Sequence, residues 1–243
     1  MDAKNRYREL ALRALHRDCA QFTRFVDPAE RNQVRAAANA AGVSAAFCGG
    51  YPDAERCIAA FYLETEPAKY PIEAVEVRWN TKFASVGHRD LMGAVMALGL
   101  ERETLGDICM GREDGVAYVF CVPEMADYLI GARESAGRAS VQLSRAREVL
   151  IAPPEGGELR ATVNALRLDA VLAAGWRLSR SEAQKLIEAG LVKLNYAEET
   201  RADRKLEPGA LISARGYGRL LVREIEGETR RGRIAVQLFR YGK

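Results

Sequence analysis

The sequence predicts an α+β protein of three small domains, assigned to residues 1–70, 71–151 and 159–243. Apolar residues recur at helical spacing in some segments and at every second position in others, so helices and strands alternate along the chain. Pro and Gly are concentrated in residues 152–158 (APPEGGE) without apolar periodicity, which is typical of a linker. The 243 residues, of which 48% are hydrophobic, are sufficient for several folded cores.

The N-terminal domain is predicted to consist of helices and a hairpin. Residues 3–24 are predicted to form one helix, in which apolar positions recur among basic ones. A second helix is predicted to begin at Asp27-Pro28, because proline is acceptable at the first helical position, and to stop at Gly42. Residues 43–64 contain two apolar runs around a Gly-Gly-Tyr-Pro-Asp turn, which predicts a hairpin.

The middle domain is predicted to be ferredoxin-like and therefore RRM-like, because its elements follow the order strand, helix, strand, strand, helix, strand. One helix is predicted to stop at Gly99 and the other to begin at Pro123. The inward side chains of the second helix are predicted to be Met125, Tyr128, Leu129 and Ala132. Strands are predicted at residues 75–79, with a further extended run through Val86, and at residues 107–110, 116–122 and 139–145.

Two aromatic residues in this domain, Tyr118 and Phe120, share one face of a predicted strand. RNA-recognition motifs carry stacking aromatics at such a position, but the Lys/Arg-Gly-Phe/Tyr signature that accompanies them is absent. Packing in the core is therefore the better explanation for both side chains.

The C-terminal domain is predicted to begin with two short helices. The first is expected near residues 168–174, where Leu168, Val171 and Leu172 have helical spacing. Ser179 followed by Glu182 fits a capping box at the start of the second helix, and Gly190 fits its end. A strand follows, and the last segment is predicted to add an extra β-hairpin whose turn carries Arg230, Arg231 and Arg233.

Positive charge is concentrated in this domain. The formal net charge of the chain is +3, but the residues after Leu159 contain 17 Lys and Arg against 10 Asp and Glu. The residues up to Leu159 contain 19 against 23. This asymmetry indicates that the C-terminal part contacts an anionic partner.

Arg180 has two possible roles. It is expected in the first turn of the second helix, where unpaired N–H groups and the helix dipole favour a phosphate. The alternative is an ion pair with Asp169 that locks the two helices together.

The ordered motifs of this domain resemble the small αL RNA-binding domain named after ribosomal protein S-four. The resemblance is carried by Arg167-Leu168-Asp169, Ser179-Arg180, Ala183, Ile187, Gly190-Leu191-Val192 and Asn195. Two residues, Tyr196 and Ala210, depart from the Asn-Gly and Pro-Gly-Asp turns of that family. RNA binding is implied. The side chains predicted to contact RNA are Arg167, Arg180, Ser181, Gln184, Lys185, Lys193, Asn195, Tyr196, Arg204, Lys205, Arg215, Tyr217 and Arg219.

Over nearly its whole length the sequence also resembles the YlmH family of bacterial RNA-binding proteins. The matching residues are Phe47, Gly49-Gly50-Tyr51, Ala54-Glu55-Arg56, His88-Arg89-Asp90, Gly93, Leu98-Gly99-Leu100, Gly106-Asp107-Ile108, Tyr196 and Arg215-Gly216-Tyr217-Gly218-Arg219. The resemblance implies a non-enzymatic factor of ribosome-associated quality control that binds rRNA and tRNA on the large ribosomal subunit. It also implies a role in rescue by C-terminal tailing of stranded peptidyl-tRNA, alongside other quality-control factors.

Two other classes of function stay open at this point. One is an RNA-modifying enzyme accessory such as a pseudouridine synthase-like protein, although the only RLD motif belongs to the binding domain itself. The other is an interaction protein linked to cell division or photosynthetic membranes.

The remaining composition argues against metal and redox chemistry. Five cysteines form no CxxC pair and only two histidines are present, so neither a metal site nor a cofactor is expected. No signal peptide or apolar run of membrane length is found. A reduced, cytoplasmic monomer without catalytic residues is therefore expected.

Overall fold

The computed structural model describes residues 3–132, 135–136, 139–229 and 232–242. The chain divides into two compact units, Met1–Pro153 and Pro154–Lys243. Arg230 and Arg231, expected at the turn of the last hairpin, lie outside the described residues.

The first part of unit Met1–Pro153 is a three-stranded antiparallel sheet covered by two helices. Its strand order is β1-β3-β2. The elements are α1 (Ala3–Arg17), β1 (Gln21–Val26), a 3-10 helix (Pro28–Glu30), α2 (Arg31–Ala41), β2 (Ser44–Cys48) and β3 (Cys57–Tyr62). The predicted restart at Pro28, the left-handed stop at Gly42 and the hairpin are all confirmed.

The prediction of one helix over residues 3–24 is wrong in its second half. Helix α1 ends at Arg17, and Asp18 adopts a left-handed φ of 48° that turns the chain. The following β-branched and aromatic residues then pair with β3 as strand β1. Helix α1 buries Tyr7, Ala11 and Ala14, which share one face at a spacing of four and three residues.

The second part of this unit has the ferredoxin-like arrangement. Its elements are β4 (Glu73–Trp79), α3 (His88–Ala97), β5 (Leu105–Met110), β6 (Val116–Cys121), α4 (Pro123–Gly131), β7 (Ser135–Ala136) and β8 (Ala139–Arg145). The strand order β5-β6-β4-β8 is the one expected for this topology, and β7 pairs with β8 at one edge. The prediction of a ferredoxin-like domain is therefore confirmed.

Both faces of the central strand β6 are buried. Ala117, Val119 and Cys121 pack under the helices, whereas Tyr118 and Phe120 pack against residues from the three-stranded sheet and its loops. The interpretation of the two aromatics as core residues agrees with this burial. In helix α4 the prediction for Tyr128 is wrong, because its side chain is 50% exposed while Ala126 and Leu129 face the core.

Polar contacts join the two sheets of this unit. Asp107 on β5 accepts hydrogen bonds from the Tyr51 hydroxyl at 2.8 Å and from the N–H of Glu55 at 2.7 Å and of Arg56 at 3.2 Å. The buried Arg56 side chain donates to Asp27 and to the carbonyls of Leu105 and Arg102. The division predicted after residue 70 stays a prediction.

The unit Pro154–Lys243 is a six-stranded antiparallel sheet with two helices on one face. Its strand order is β11-β10-β12-β13-β14-β9. The elements are β9 (Gly156–Val163), α5 (Leu168–Trp176), α6 (Arg180–Glu188), β10 (Val192–Leu194), β11 (Ala197–Glu198), β12 (Leu211–Ala214), β13 (Gly218–Glu228) and β14 (Ile234–Tyr241). The two helices, the strand after Gly190 and the final hairpin are found where they were predicted.

Strand β9 was not predicted, and it begins at Gly156 within the segment assigned to the linker. It pairs with β14 from Gly156↔Tyr241 to Val163↔Ile234. The core under the sheet contains Leu168 and Leu172 of α5 and Ala183 and Ile187 of α6. No helix in the described ranges is both long and apolar enough to cross a membrane.

Candidate RNA interface

Asp169, the second residue of α5, is fully buried and collects three polar side chains. Arg180 Nη2 donates to Asp169 Oδ2 at 2.6 Å, Arg167 Nε donates to Oδ1 at 3.2 Å and Gln184 Nε2 donates to Oδ2 at 3.4 Å. Burial by itself raises the pKa of Asp169, but the hydrogen bond and charge of Arg180 and the charge of Arg167 hold it below its ordinary value of 3.8. An ionised carboxylate thus fixes three predicted RNA-binding side chains, which together with Asp169 form the Asp169 cluster.

The two arginines of the Asp169 cluster keep part of their hydrogen-bonding capacity. A guanidinium has five N–H donors, and each ion pair uses only one or two of them. The side chain of Arg180 is 51% exposed and that of Arg167 is 37% exposed. With two cations and one anion, the cluster carries a net positive charge at the surface and can accept a phosphate.

The start of helix α6 is set by the predicted capping box. Ser179 Oγ accepts the N–H of Glu182 at 3.1 Å, and the Glu182 carboxylate accepts the N–H of Ser179 at 2.8 Å. The hydrogen bonds from Ser179 lower the pKa of Glu182. This cap fixes the first turn of α6. Ser181 on the first turn and Lys185 on the next turn are both exposed.

The segment around Arg204 and Lys205 lies beside the start of α5. Arg167 and Lys205 form an isolated antiparallel bridge, and the N–H of Leu168 donates to the carbonyl of Arg204 at 2.9 Å. Arg204 and Lys205 also line a cleft of about 260 Å³ together with Asn195. Backbone pairing therefore brings Arg167, Arg204 and Lys205 together although they are far apart in sequence.

Asn195 and Tyr196 form the turn between β10 and β11. Both have left-handed backbone angles, with φ of 47° and 70°. Asn195 Oδ1 accepts the N–H of Leu211 at 2.9 Å, so its side chain also holds the neighbouring strand. A turn of this kind usually takes glycine at its second position, and Tyr196 is half-buried there instead.

The remaining predicted residues lie at the other end of β10, β12 and β13. Lys193 pairs with Ser213, and Ser213 pairs with Arg219, so these three side chains follow one another across one face of the sheet. The Arg219 guanidinium lies 4.7 Å from the ring centroid of Tyr241. In the adjoining turn, Arg215 is exposed, and Tyr217 lies 6.0 Å from the ring of Trp176.

The thirteen predicted RNA-binding residues are all accessible to solvent, and the structure arranges them in several groups. Arg167, Arg180 and Gln184 share Asp169, whereas Asn195, Arg204 and Lys205 share a cleft. Arg180 forms the ion pair that was its alternative role, and it also keeps an exposed side chain. Their contact with RNA stays a prediction.

Sequence reasoning missed one neighbour and undervalued another. Tyr241, which stacks with Arg219, is near the end of a strand with no motif that marks it. Asp169 is predicted from the sequence as a possible partner of Arg180 and as part of the Arg167-Leu168-Asp169 motif, but not as the acceptor of three side chains.

Within the described ranges, no group of three or more His, Cys, Asp or Glu side chains lies close enough to hold a metal ion. The five cysteines are free thiols. Burial raises the pKa of Cys109 to about 11 and of Cys121 to about 12, so both stay protonated near neutral pH.

Two family models match the chain. Residues 65–148 match a model described as "Putative RNA-binding domain in YlmH", and residues 166–212 match one described as "S4 domain". The first covers the ferredoxin-like region from just before β4 to just after β8. The second covers α5, α6, β10, β11 and the start of β12.

Known proteins also resemble the chain. It is 37% identical over 221 residues to the Bacillus subtilis (strain 168) protein named "Ribosome-associated protein quality control protein P2", which corresponds to 89% of this chain and 85% of that protein. A solved structure, "Cell division protein ylmH from Streptococcus pneumoniae", aligns with a TM-score of 0.45 and 19% identity, over 60% of this chain and 93% of that one.

Proposed function

Since the chain belongs to the YlmH family, we propose that it is a non-enzymatic RNA-binding protein that contacts rRNA and tRNA on the large ribosomal subunit. Its role is the rescue of stalled ribosomes in the cytoplasm, through C-terminal tailing of stranded peptidyl-tRNA, together with other quality-control factors. The Bacillus relative with a ribosome-associated name covers most of the chain and supports this role.

The observation that carries the proposal is the Asp169 cluster. Because a buried carboxylate fixes Arg167, Arg180 and Gln184 before any ligand arrives, little side-chain entropy is lost when they bind. Planar guanidinium groups with unused donors suit phosphate oxygens. The exposed side chains of Lys193, Lys205 and Arg215 extend the positive surface beyond the cluster.

The experiment is co-sedimentation of the full chain with purified large ribosomal subunits over a range of salt concentrations. If about five phosphates are contacted, log K falls against log salt with a slope of roughly −3.5 to −4.5. The charge-reversed variant Lys185→Glu/Lys193→Glu/Lys205→Glu removes three exposed cations and should bind at least tenfold more weakly.

The matched control reverses three exposed cations of the first unit, Arg8→Glu/Arg17→Glu/Lys69→Glu. The control changes the net charge by the same amount and should bind within about twofold of the wild type. An affinity that does not change with salt, or equal losses in both variants, would contradict binding through the C-terminal unit.

The same material tests the non-enzymatic role. RNA recovered after incubation with the protein should show no new methyl group and no pseudouridine by mass spectrometry. Either modification would overturn the proposal that the protein acts only by binding.

A further inference from the structure

In RNA-recognition motifs one face of the ferredoxin-like sheet carries stacking aromatic residues. In this protein the same face is buried. Tyr118 and Phe120 are 4% and 1% exposed, and the ring of Tyr51 lies 5.0 Å from that of Phe120. A region whose family model is named for RNA binding therefore needs another surface if it is to contact RNA.

The most exposed large apolar side chain of this region is Phe83, in the loop between β4 and α3. It is 86% exposed, whereas the flanking Ala84 and Val86 pack against the core. Asn80 stabilises the turn, because its carbonyl accepts the N–H groups of Phe83 at 3.1 Å and Ala84 at 3.2 Å. Asn80 Oδ1 also accepts the N–H of Lys82 at 3.0 Å. A hydrogen-bonded turn therefore presents an aromatic ring to solvent.

Basic residues and a histidine flank this ring in the sequence. Lys82, His88 and Arg89 are exposed, and none of them forms an ion pair with a residue that the structure describes. Residues 80–89 contain no Asp or Glu. The first acidic residue after them, Asp90, is occupied by the N–H of Gly87 at 2.9 Å.

We propose that the loop Asn80 to Arg89 is a second RNA-binding site, which takes an unpaired nucleotide. The base stacks on the ring of Phe83, and Lys82 and Arg89 neutralise the adjacent phosphates. Stacking of bases on exposed aromatic side chains beside cations is the usual way in which proteins hold single-stranded RNA.

Charge complementarity favours RNA over a protein partner on this loop. Met92 and Met96 on α3 are also partly exposed, at 37% and 46%, and would suit an apolar protein surface. They belong to the helix after the loop, whereas every ionisable side chain of the loop itself is basic or a histidine. A phosphate backbone matches that pattern, and an apolar helix does not.

The test uses the full chain and a short single-stranded RNA that contains 5-iodouridine, which forms covalent adducts with stacked aromatic residues under ultraviolet light. The expected adduct lies on Phe83, in the tryptic peptide of residues 83–89. Phe83→Ala should remove the adduct and weaken binding of the oligonucleotide roughly tenfold. Phe83→Trp should retain binding, because the larger ring still stacks.

The matched control is Tyr128→Ala. Tyr128 is an exposed aromatic of the same region, but it is neighboured in sequence by Glu124 and Asp127, which repel phosphate. This variant should bind like the wild type, and both alanine variants should melt at the wild-type temperature because neither ring is buried.

This inference does not rest on the Asp169 cluster. The adduct on Phe83 should persist in Lys185→Glu/Lys193→Glu/Lys205→Glu, which separates the two sites. Absence of an adduct on Phe83, together with unchanged oligonucleotide affinity in Phe83→Ala, would overturn the proposal. So would a Phe83→Ala variant that loses binding to whole large subunits but not to the oligonucleotide, since that result indicates docking on ribosomal protein.

Discussion

At the scale of single residues, the buried Asp169 explains why three neighbouring polar side chains have fixed positions. Removing a partner from a buried charge leaves that charge uncompensated, which is more costly than losing an exposed ion pair. Arg180 has the shortest of the three contacts, at 2.6 Å, and is therefore its main partner. The residue thus has a structural role in addition to the proposed contact with RNA.

We expect Arg180→Ala to lower the free energy of unfolding of the C-terminal unit by about 1–2 kcal/mol, because half of the side chain is exposed and Arg167 remains. Lys185→Ala removes the same charge from the same helix, but Lys185 forms no ion pair with a described residue. This variant should change the free energy of unfolding by less than about 0.5 kcal/mol. Urea unfolding followed by the fluorescence of Trp176, in a Trp79→Phe background, measures both. Equal stabilities of the two variants would show that the ion pair does not support the fold.

The lowered pKa of Asp169 predicts how the stability of the C-terminal unit depends on pH. A carboxylate whose folded pKa is below its unfolded value of 3.8 stabilises the fold in full above that value, and this contribution is lost as the pH falls through the folded pKa. Asp169→Asn should therefore be less stable than the wild type at pH 7, and the difference should shrink below about pH 4.

Comparing Asp169→Asn with the wild type cancels the contributions of the other acidic groups to the pH dependence of stability. Glu182 and Glu226 also have lowered pKa values, but they are present in both proteins and contribute the same slope. Unfolding free energies from pH 7 to pH 3 give the result. A difference that stays constant over this range would assign the stabilisation to shape and hydrogen bonding rather than to charge.

At the scale of helices and strands, local signals predicted most of the fold. The capping box at Ser179 and Glu182 placed the start of α6, and the left-handed glycine at Gly42 placed the end of α2, because both depend only on adjacent residues. The order of strands and helices along the sequence was sufficient to predict the ferredoxin-like arrangement.

The errors occur where distant pairing decides the structure. Residues 21–24 are part of the predicted helix but form β1, because they pair with β3. The partner strand is more than thirty residues away, so no local pattern indicates this pairing. Strand β9 begins with Gly156-Gly157, which resembles a linker, and is a strand only because β14 pairs with it. The binding surface has the same property, since Arg167 and Lys205 meet through a bridge that no local pattern encodes.

At the scale of the whole molecule, several residues that carry the YlmH resemblance join the two sheets of the first unit. Tyr51, Glu55 and Arg56 belong to the loop between β2 and β3, and all three reach Asp107 on β5. Gly106 allows this approach, because a side chain there would meet the ring of Phe25 at 2.6 Å. These motifs therefore support the fold, and sequence alone could not distinguish that role from binding.

We therefore expect the two sheets of Met1–Pro153 to lose structure together. Asp107→Ala leaves the hydroxyl of Tyr51 and the N–H groups of Glu55 and Arg56 without their acceptor, which should cost on the order of 3 kcal/mol. Hydrogen–deuterium exchange should become faster in β2 and β3 and also in β5 and β6, while β10 and β12 of the other unit are unchanged. Asp114→Ala is the matched control, because Asp114 is exposed in the hairpin that follows β5 and makes no ion pair with a described residue. It should leave exchange unaltered throughout.

Faster exchange confined to the three-stranded sheet would instead mean that the chain before and after residue 70 folds as two independent domains.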